Sequence, residues 1–177
     1  MGKRSNFERK RFDDYPTPPE AVSPLLPHLT RGTKFCEPCA GEGKLIETLE
    51  KAGMVCASAF DAAIGPHPRI DVSFMTAQDI GDAEMIITNP PWEREALHQI
   101  IVRCALFRPT WLLFDADWAH TRQAIPYLEM CAKIVAIGRV KWIEGSGTPG
   151  KDNACWYFFD AKSAPSRPIF YGLRSYS

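Results

Sequence analysis

The sequence predicts one α/β domain: a mostly parallel sheet of seven strands, with helices on both faces and an antiparallel hairpin at its C-terminal end. Three observations predict it. Short apolar runs alternate with stretches of helical periodicity from about residue 33 onward. The last two apolar runs are separated only by a glycine-rich loop, which favours a hairpin. The chain has 177 residues, 45% of them hydrophobic, which suits a single core.

Each element follows from a local pattern. Seven apolar runs predict strands at 33–36, 54–60, 70–74, 84–88, 111–114, 133–143 and 154–159. Three stretches with apolar residues on one face predict helices at 44–52, 93–107 and 117–131. Pro126 is expected to kink the third helix or to end it early, because proline lacks the N–H that a helix interior needs.

The charges balance overall, with 21 basic and 21 acidic residues, so no net field marks the chain as a nucleic-acid binder. Their distribution is uneven: residues 1–12 hold five basic residues and one acid, and the segment after Asp160 holds three basic residues and no acid. We therefore divide the chain into a basic arm (1–12), a main domain (13–160) and a basic tail (161–177). The two basic ends either contact phosphates or are simply disordered polar ends.

Composition excludes several classes of protein. No run approaches the roughly 18 apolar residues that a membrane span needs. No apolar run follows the charges of residues 1–12, so we expect no secretory signal. Six scattered cysteines are typical of reduced thiols in a cytoplasmic protein. Cys36 and Cys39 form a lone C-x-x-C with no second pair, so we predict no metal site.

The first candidate site is the segment Glu37-Pro38-Cys39-Ala40-Gly41-Glu42-Gly43, which follows the first predicted strand. Ligands of open α/β sheets bind at the carboxyl ends of strands, near the point where the strand order reverses. Gly41 and Gly43 allow a sharp turn and a close approach of the backbone to a ligand. Ile46 stands where a dinucleotide fingerprint has its third glycine, so a smaller nucleoside ligand is favoured.

Two later strand ends carry acids that suit a nucleoside. Asp61 lies 18 positions after Gly43, where an acid can accept hydrogen bonds from ribose hydroxyls. Asp79, followed by Ile80, offers an acceptor for an adenine amino group beside an apolar contact. Each acid alone would be read as an ordinary surface residue, and the order of the three features is what favours a nucleoside site.

The second candidate site is Asn89-Pro90-Pro91-Trp92, directly after a predicted buried strand. The prolines fix the backbone and remove two N–H donors. The Asn89 side-chain oxygen and the Pro90 carbonyl can then accept the two hydrogens of an exocyclic amino group, and Trp92 offers a flat face to its ring. Acceptors that favour a tetrahedral nitrogen help more in the transition state than in the ground state. The competing interpretation is a rigid turn with a core tryptophan.

These motifs, together with Tyr15-Pro16-Thr17-Pro18, resemble the class I amino-methyltransferases. The resemblance covers roughly residues 13 to 160. It is greatest to the small N6-adenine DNA methyltransferases of phages and mobile elements. It implies a Rossmann-like methyltransferase sheet, S-adenosylmethionine as methyl donor and DNA as partner.

The resemblance also implies a role for each motif. The donor would be held by Tyr15, Thr17, Glu37, Pro38, Ala40, Gly41 and Gly43 at its methionine moiety, by Asp61 at its ribose, by Asp79 and Ile80 at its adenine, and by Asn89. The target amine would be held by Asn89, Pro90, Pro91 and Trp92. Segment 138–142 lies near the target base in this family, so Arg139, Lys141 and the following loop residue Lys151 join Trp92 as expected substrate contacts.

One departure from the larger DNA enzymes is the lack of an insertion for target recognition. Sequence specificity is therefore expected to be low, to depend on a partner, or to come from the 144–153 loop and the basic ends. The target base would have to be flipped out or presented in a single strand. Two alternatives remain: RNA adenine or a protein glutamine as acceptor, and a catalytically inactive nucleic-acid-binding subunit of the same fold.

Overall fold

A computed structural model of the chain describes residues 16–63, 65–142, 150, 152–163 and 167–173. The expected basic arm, Tyr15, the middle of the hairpin loop and Lys151 lie outside these residues.

The described strands form one seven-stranded sheet of order β2-β1-β3-β4-β6-β5-β7. The strands are β1 (Lys34–Glu37), β2 (Val55–Ala59), β3 (Met85–Thr88), β4 (Thr110–Asp115), β5 (Cys131–Arg139), β6 (Asn153–Phe159) and β7 (Ile169–Tyr171). Only β6 runs antiparallel to its neighbours, β4 and β5; every other adjacent pair is parallel. The predicted mostly parallel sheet with a C-terminal antiparallel hairpin is confirmed.

Helices cover both faces of the sheet, as predicted. They are α1 (Pro19–Val22), α2 (Lys44–Lys51), α3 (Ala77–Ile80), α4 (Arg94–Phe107) and α5 (Ile125–Leu128). Successive strand residues point to opposite faces. Phe35 and Ile87 pack with α1 and α2, whereas Cys36 and Ile86 pack with α3 and α4. Within the described ranges, no helix has both the length and the apolar character required to cross a membrane.

The predicted strand at 70–74 is wrong. Val72–Phe74 is a single turn of 3-10 helix, because the Asp71 carboxylate accepts a hydrogen bond from the Ser73 backbone N–H and closes a local turn. Phe74 is 78% exposed, so its apolar character does not reflect a buried strand. The seventh strand is instead β7, which lies in the segment assigned to the basic tail and pairs in parallel with β5.

The predicted helix at 117–131 is also corrected. The chain forms two 3-10 segments, Ala116–His120 and Arg122–Ala124, before the four-residue α5. Pro126 lies in the first turn of α5 rather than kinking a longer helix. That position tolerates proline, since the first helical N–H groups have no partner inside the helix.

Candidate active site

Both predicted motifs begin at the centre of the sheet. β1 pairs with β2 on one side and with β3 on the other, so the strand order reverses between β1 and β3. Segment 37–43 leaves the carboxyl end of β1, and segment 89–92 follows the carboxyl end of β3. The chain thus brings its two candidate motifs to the place where open α/β sheets bind ligands.

The turn after β1 requires its glycines. Gly41 has a φ of 50° and Gly43 a φ of 81°, in the left-handed region that other residues disfavour. The Gly43 N–H donates to the Ala40 carbonyl at 2.7 Å, and the Ala40 N–H donates to the Phe60 carbonyl at 3.0 Å. The turn is therefore fixed to the end of β2 and delivers Gly43 as the first residue before α2.

The Asp61 carboxylate connects this turn to the segment after β2. One oxygen accepts from the Gly41 N–H at 2.8 Å, and the other accepts from the Ala63 N–H at 2.7 Å. Asp61 therefore lies beside the glycine turn, and its contact with a ribose stays a prediction. Each oxygen retains a lone pair, so these two bonds leave the carboxylate able to accept further donors.

Sequence reasoning missed the segment that covers the glycine turn. The Asp61 N–H donates to the Pro68 carbonyl and the Ile70 N–H donates to the Asp61 carbonyl, which brings Pro68 and Ile70 back beside Asp61. His67 Nε2 consequently lies 3.2 Å from where a Cβ on Gly43 would stand. The two prolines that flank His67 were the sequence signal for such a turn.

Glu37 is a buried carboxylate at the end of β1. It is 1% exposed, and its Oε2 has no hydrogen-bond partner among the described residues. Burial holds the pKa of Glu37 well above its ordinary value, and the Asp61 carboxylate raises that pKa further. A buried, unpaired carboxyl oxygen costs stability, and a positively charged group would satisfy it.

The Asn89 side chain is held at both ends of its carboxamide. Its Nδ2 donates to the Thr17 hydroxyl at 3.2 Å, across 72 positions of sequence. Its Oδ1 accepts from the Trp92 indole N–H at 3.2 Å. The structure therefore brings together three residues that sequence reasoning had placed in two separate motifs.

Trp92 is half-buried and contacts both core clusters. Its indole N–H is shared between Asn89 and the Leu113 carbonyl of β4, at 3.1 Å from the latter. Its ring makes an edge-to-face contact with Trp142, with ring centroids 5.5 Å apart. Trp142 belongs to the 138–142 segment that the sequence analysis placed near the target base.

The other expected site residues are distributed as follows. Ile80 is fully buried in the core, so its side chain is not available to a ligand in this structure. Asp79 accepts from the backbone N–H and the hydroxyl of Thr76, and these bonds lower the pKa of its carboxyl. Arg139 and Lys141 are exposed near the end of β5. Their roles, like those of Asp79 and Ile80, stay predictions.

Within the described ranges, no group of three or more His, Cys, Asp or Glu side chains is arranged to hold a metal ion. The six cysteines are free thiols. Burial raises the pKa of Cys36, within the C-x-x-C, to about 12, which makes its thiol a poor metal ligand.

Comparison with known proteins identifies the fold. No protein-family model matches the chain, and no curated protein is significantly similar in sequence. The methyltransferase subunit of a type I restriction-modification system from Streptococcus thermophilus has a TM-score of 0.59 and 8% identity, covering 90% of this chain and 47% of that one. A candidate RNA methyltransferase from Pyrococcus horikoshii has a TM-score of 0.59 and 16% identity, covering 94% and 95%.

A candidate class I S-adenosylmethionine-dependent methyltransferase from Listeria monocytogenes has a TM-score of 0.57 and 11% identity, covering 88% of this chain and 64% of that one. The chain spans about half the length of the Streptococcus subunit and nearly all of the Pyrococcus protein. The chain therefore has the Rossmann-like fold of class I methyltransferases, as the sequence resemblance implied.

Proposed function

We propose that this chain transfers a methyl group from S-adenosylmethionine to the exocyclic N6 amino group of adenine in DNA. The observation that carries the proposal is the placement of Glu37 and the glycine turn beside the Thr17–Asn89–Trp92 group at one switch point. A donor site and an amine site side by side are what methyl transfer requires, because orientation supplies much of the rate.

The residues at the end of β1 fit the donor. The unpartnered Glu37 oxygen suits the ammonium of its methionine moiety, and a side chain at position 43 would crowd the turn, because its Cβ would lie 3.2 Å from His67 Nε2. Asp61 retains acceptor capacity for ribose hydroxyls. When bound, the donor supplies an electrophilic methyl group on a sulfonium.

The residues after β3 suit an amine acceptor. The amine nitrogen attacks the methyl carbon with its lone pair as the carbon–sulfur bond breaks, and the sulfur keeps the bonding electrons. The nitrogen then loses a proton to water. Asn89 Oδ1 and the Pro90 carbonyl would hold the two N–H groups and favour a tetrahedral nitrogen, so the stabilisation grows toward the transition state.

Adenine in DNA is preferred as acceptor because the Tyr15–Pro18, NPPW and 138–142 segments resemble the DNA adenine enzymes. The Streptococcus protein, a restriction-modification subunit, has the same fold. RNA adenine is the second candidate, since the Pyrococcus protein is similar over nearly its whole length.

The test begins with calorimetric titration of S-adenosylmethionine, followed by tritium transfer into unmethylated DNA, RNA and protein fractions. We expect micromolar donor binding and label on DNA adenine, lost in Asn89→Ala. Gln99→Ala, which removes a carboxamide from the exposed side of α4, is the matched control and should keep activity. Label found only in RNA or only in protein would show that this fraction, and not DNA, contains the acceptor. Failure to bind the donor would refute the proposal.

A further inference from the structure

We propose that Trp92 is a positioning residue: its indole N–H fixes which end of the Asn89 carboxamide faces the substrate, and the Thr17 hydroxyl holds the other end of that amide. The inference rests on the proposed function, because it assigns Asn89 the amine-binding role. It concerns the N–H of Trp92 and is separate from any stacking by its ring.

A carboxamide needs such control because its oxygen and its NH₂ group have similar size and opposite hydrogen-bonding character. An amide with its oxygen toward the substrate accepts a hydrogen from the target amine. A flipped amide presents a donor to a donor and loses the interaction.

Both ends of the Asn89 amide have a partner: the Thr17 hydroxyl can accept or donate, whereas the Trp92 indole N–H is compatible with only one orientation of the amide. Thr17, which is 5% exposed, accepts from Nδ2, and the Trp92 indole nitrogen can only donate, so it must face Oδ1. A flip would place Oδ1 near Thr17 and turn the NH₂ group toward the indole N–H. The second arrangement sets two donors against each other.

The indole is itself held in place. Its N–H also reaches the Leu113 carbonyl at 3.1 Å, and strand register puts Leu112 opposite Thr88, so Leu113 lies beside Asn89 at the same edge of the sheet. The ring packs against both core clusters. Phenylalanine has no such donor, and the tyrosine hydroxyl lies at the far end of its ring, so neither would provide the N–H that Trp92 donates here.

The kinetic test compares Trp92→Phe, which keeps an aromatic face and removes the N–H, with wild type. We expect kcat for methyl transfer to fall roughly five- to thirty-fold, as the loss of one hydrogen bond of about 1–2 kcal/mol implies, with S-adenosylhomocysteine affinity unchanged. Trp118→Phe is the control, because it removes an indole N–H that donates to His98 instead. Thr17→Val should lower kcat as well, Thr17→Ser should restore it, and the Thr17→Val/Trp92→Phe pair should be non-additive.

A second readout does not depend on activity. In a ¹⁵N NMR spectrum the Trp92 indole resonance, assigned as the one missing in Trp92→Phe, should shift and exchange faster with solvent in Asn89→Ala. Wild-type kcat in Trp92→Phe, or a Trp92 resonance unchanged by Asn89→Ala, would overturn the inference. Absence of methyl transfer in wild type with the expected NMR coupling would instead refute the proposed function and leave the hydrogen-bonded unit intact.

Discussion

Replacing Glu37 by glutamine should stabilise the free protein while weakening donor binding. Glu37 is 1% exposed and its pKa is raised above the ordinary 4.5, so folding favours its protonated form. Stability is then fully present below pH 4.5 and falls as pH rises toward the raised pKa. Between pH 4.5 and the raised pKa, keeping the carboxyl protonated costs roughly 1 kcal/mol of stability for each pH unit.

Glutamine removes this pH-dependent cost and leaves an uncharged amide in its place. For a chain of this size, 1 kcal/mol corresponds to about 2–4 °C in Tm. We expect Tm of Glu37→Gln to exceed that of wild type by about 2–5 °C for each pH unit above 4.5 up to the raised pKa, with the gap closing near pH 4.5. Differential scanning calorimetry from pH 4.5 to 8 measures this difference in Tm. A variant that is less stable than wild type, or a gap that does not change with pH, refutes the reasoning.

Donor binding, unlike folding, should favour the ionised form of Glu37. An ammonium beside Glu37 favours the carboxylate, so S-adenosylhomocysteine binding should release a proton. Its affinity should rise with pH, by up to about tenfold per pH unit below the raised pKa. Calorimetry in buffers of different ionisation enthalpy measures the release. Equal release in wild type and Glu37→Gln would show that the proton comes from elsewhere.

Gly43→Ala and Gly32→Ala should each lose about 1–2 kcal/mol of stability, because both positions have positive φ. Only Gly43→Ala should lose donor affinity, and equal affinities of the two variants by calorimetry would contradict the placement of the donor. Asp61→Asn keeps one acceptor oxygen for two backbone donors, so we expect stability to fall by about 1–2 kcal/mol and hydrogen exchange in residues 61–70 to become faster. Unchanged exchange would show that the carboxylate does not hold this segment. Burial, and secondarily Arg94, lower the pKa of His98 below 6.5, so the stability of wild type relative to His98→Phe should fall as pH drops below 6.5. Parallel pH profiles of the two proteins in thermal denaturation would contradict this.

The parts of the fold that the sequence predicted are those with a strong local signal. The helix at 93–107 has apolar residues at helical spacing, and the runs at 84–88 and 111–114 form strands that are buried over residues 86–88 and 111–114. The run at 70–74 has three apolar residues, but among the described residues no strand pairs with it, and the turn closed by Asp71 forms instead. β7 has three residues among basic neighbours, and it is a strand because β5 offers a free edge.

In the candidate site, too, local sequence patterns predicted the positions of the motifs but not the contacts between them. Strand ends followed by glycines or by NPPW predicted where the motifs lie. The contacts between them depend on tertiary structure: Thr17 meets Asn89 across 72 positions, and Trp92 reaches Leu113 on the next strand. The covering segment with His67 needed the hydrogen bonds that Asp61 makes at both its backbone and its carboxylate.

The most direct test of the central claim is mass spectrometry of nucleosides from unmethylated DNA incubated with this protein and S-adenosylmethionine bearing a deuterated methyl group. We predict deuterated N6-methyldeoxyadenosine, absent when Asn89→Ala replaces the wild type. A preparation that binds S-adenosylhomocysteine and leaves no deuterium on adenine would contradict the claim.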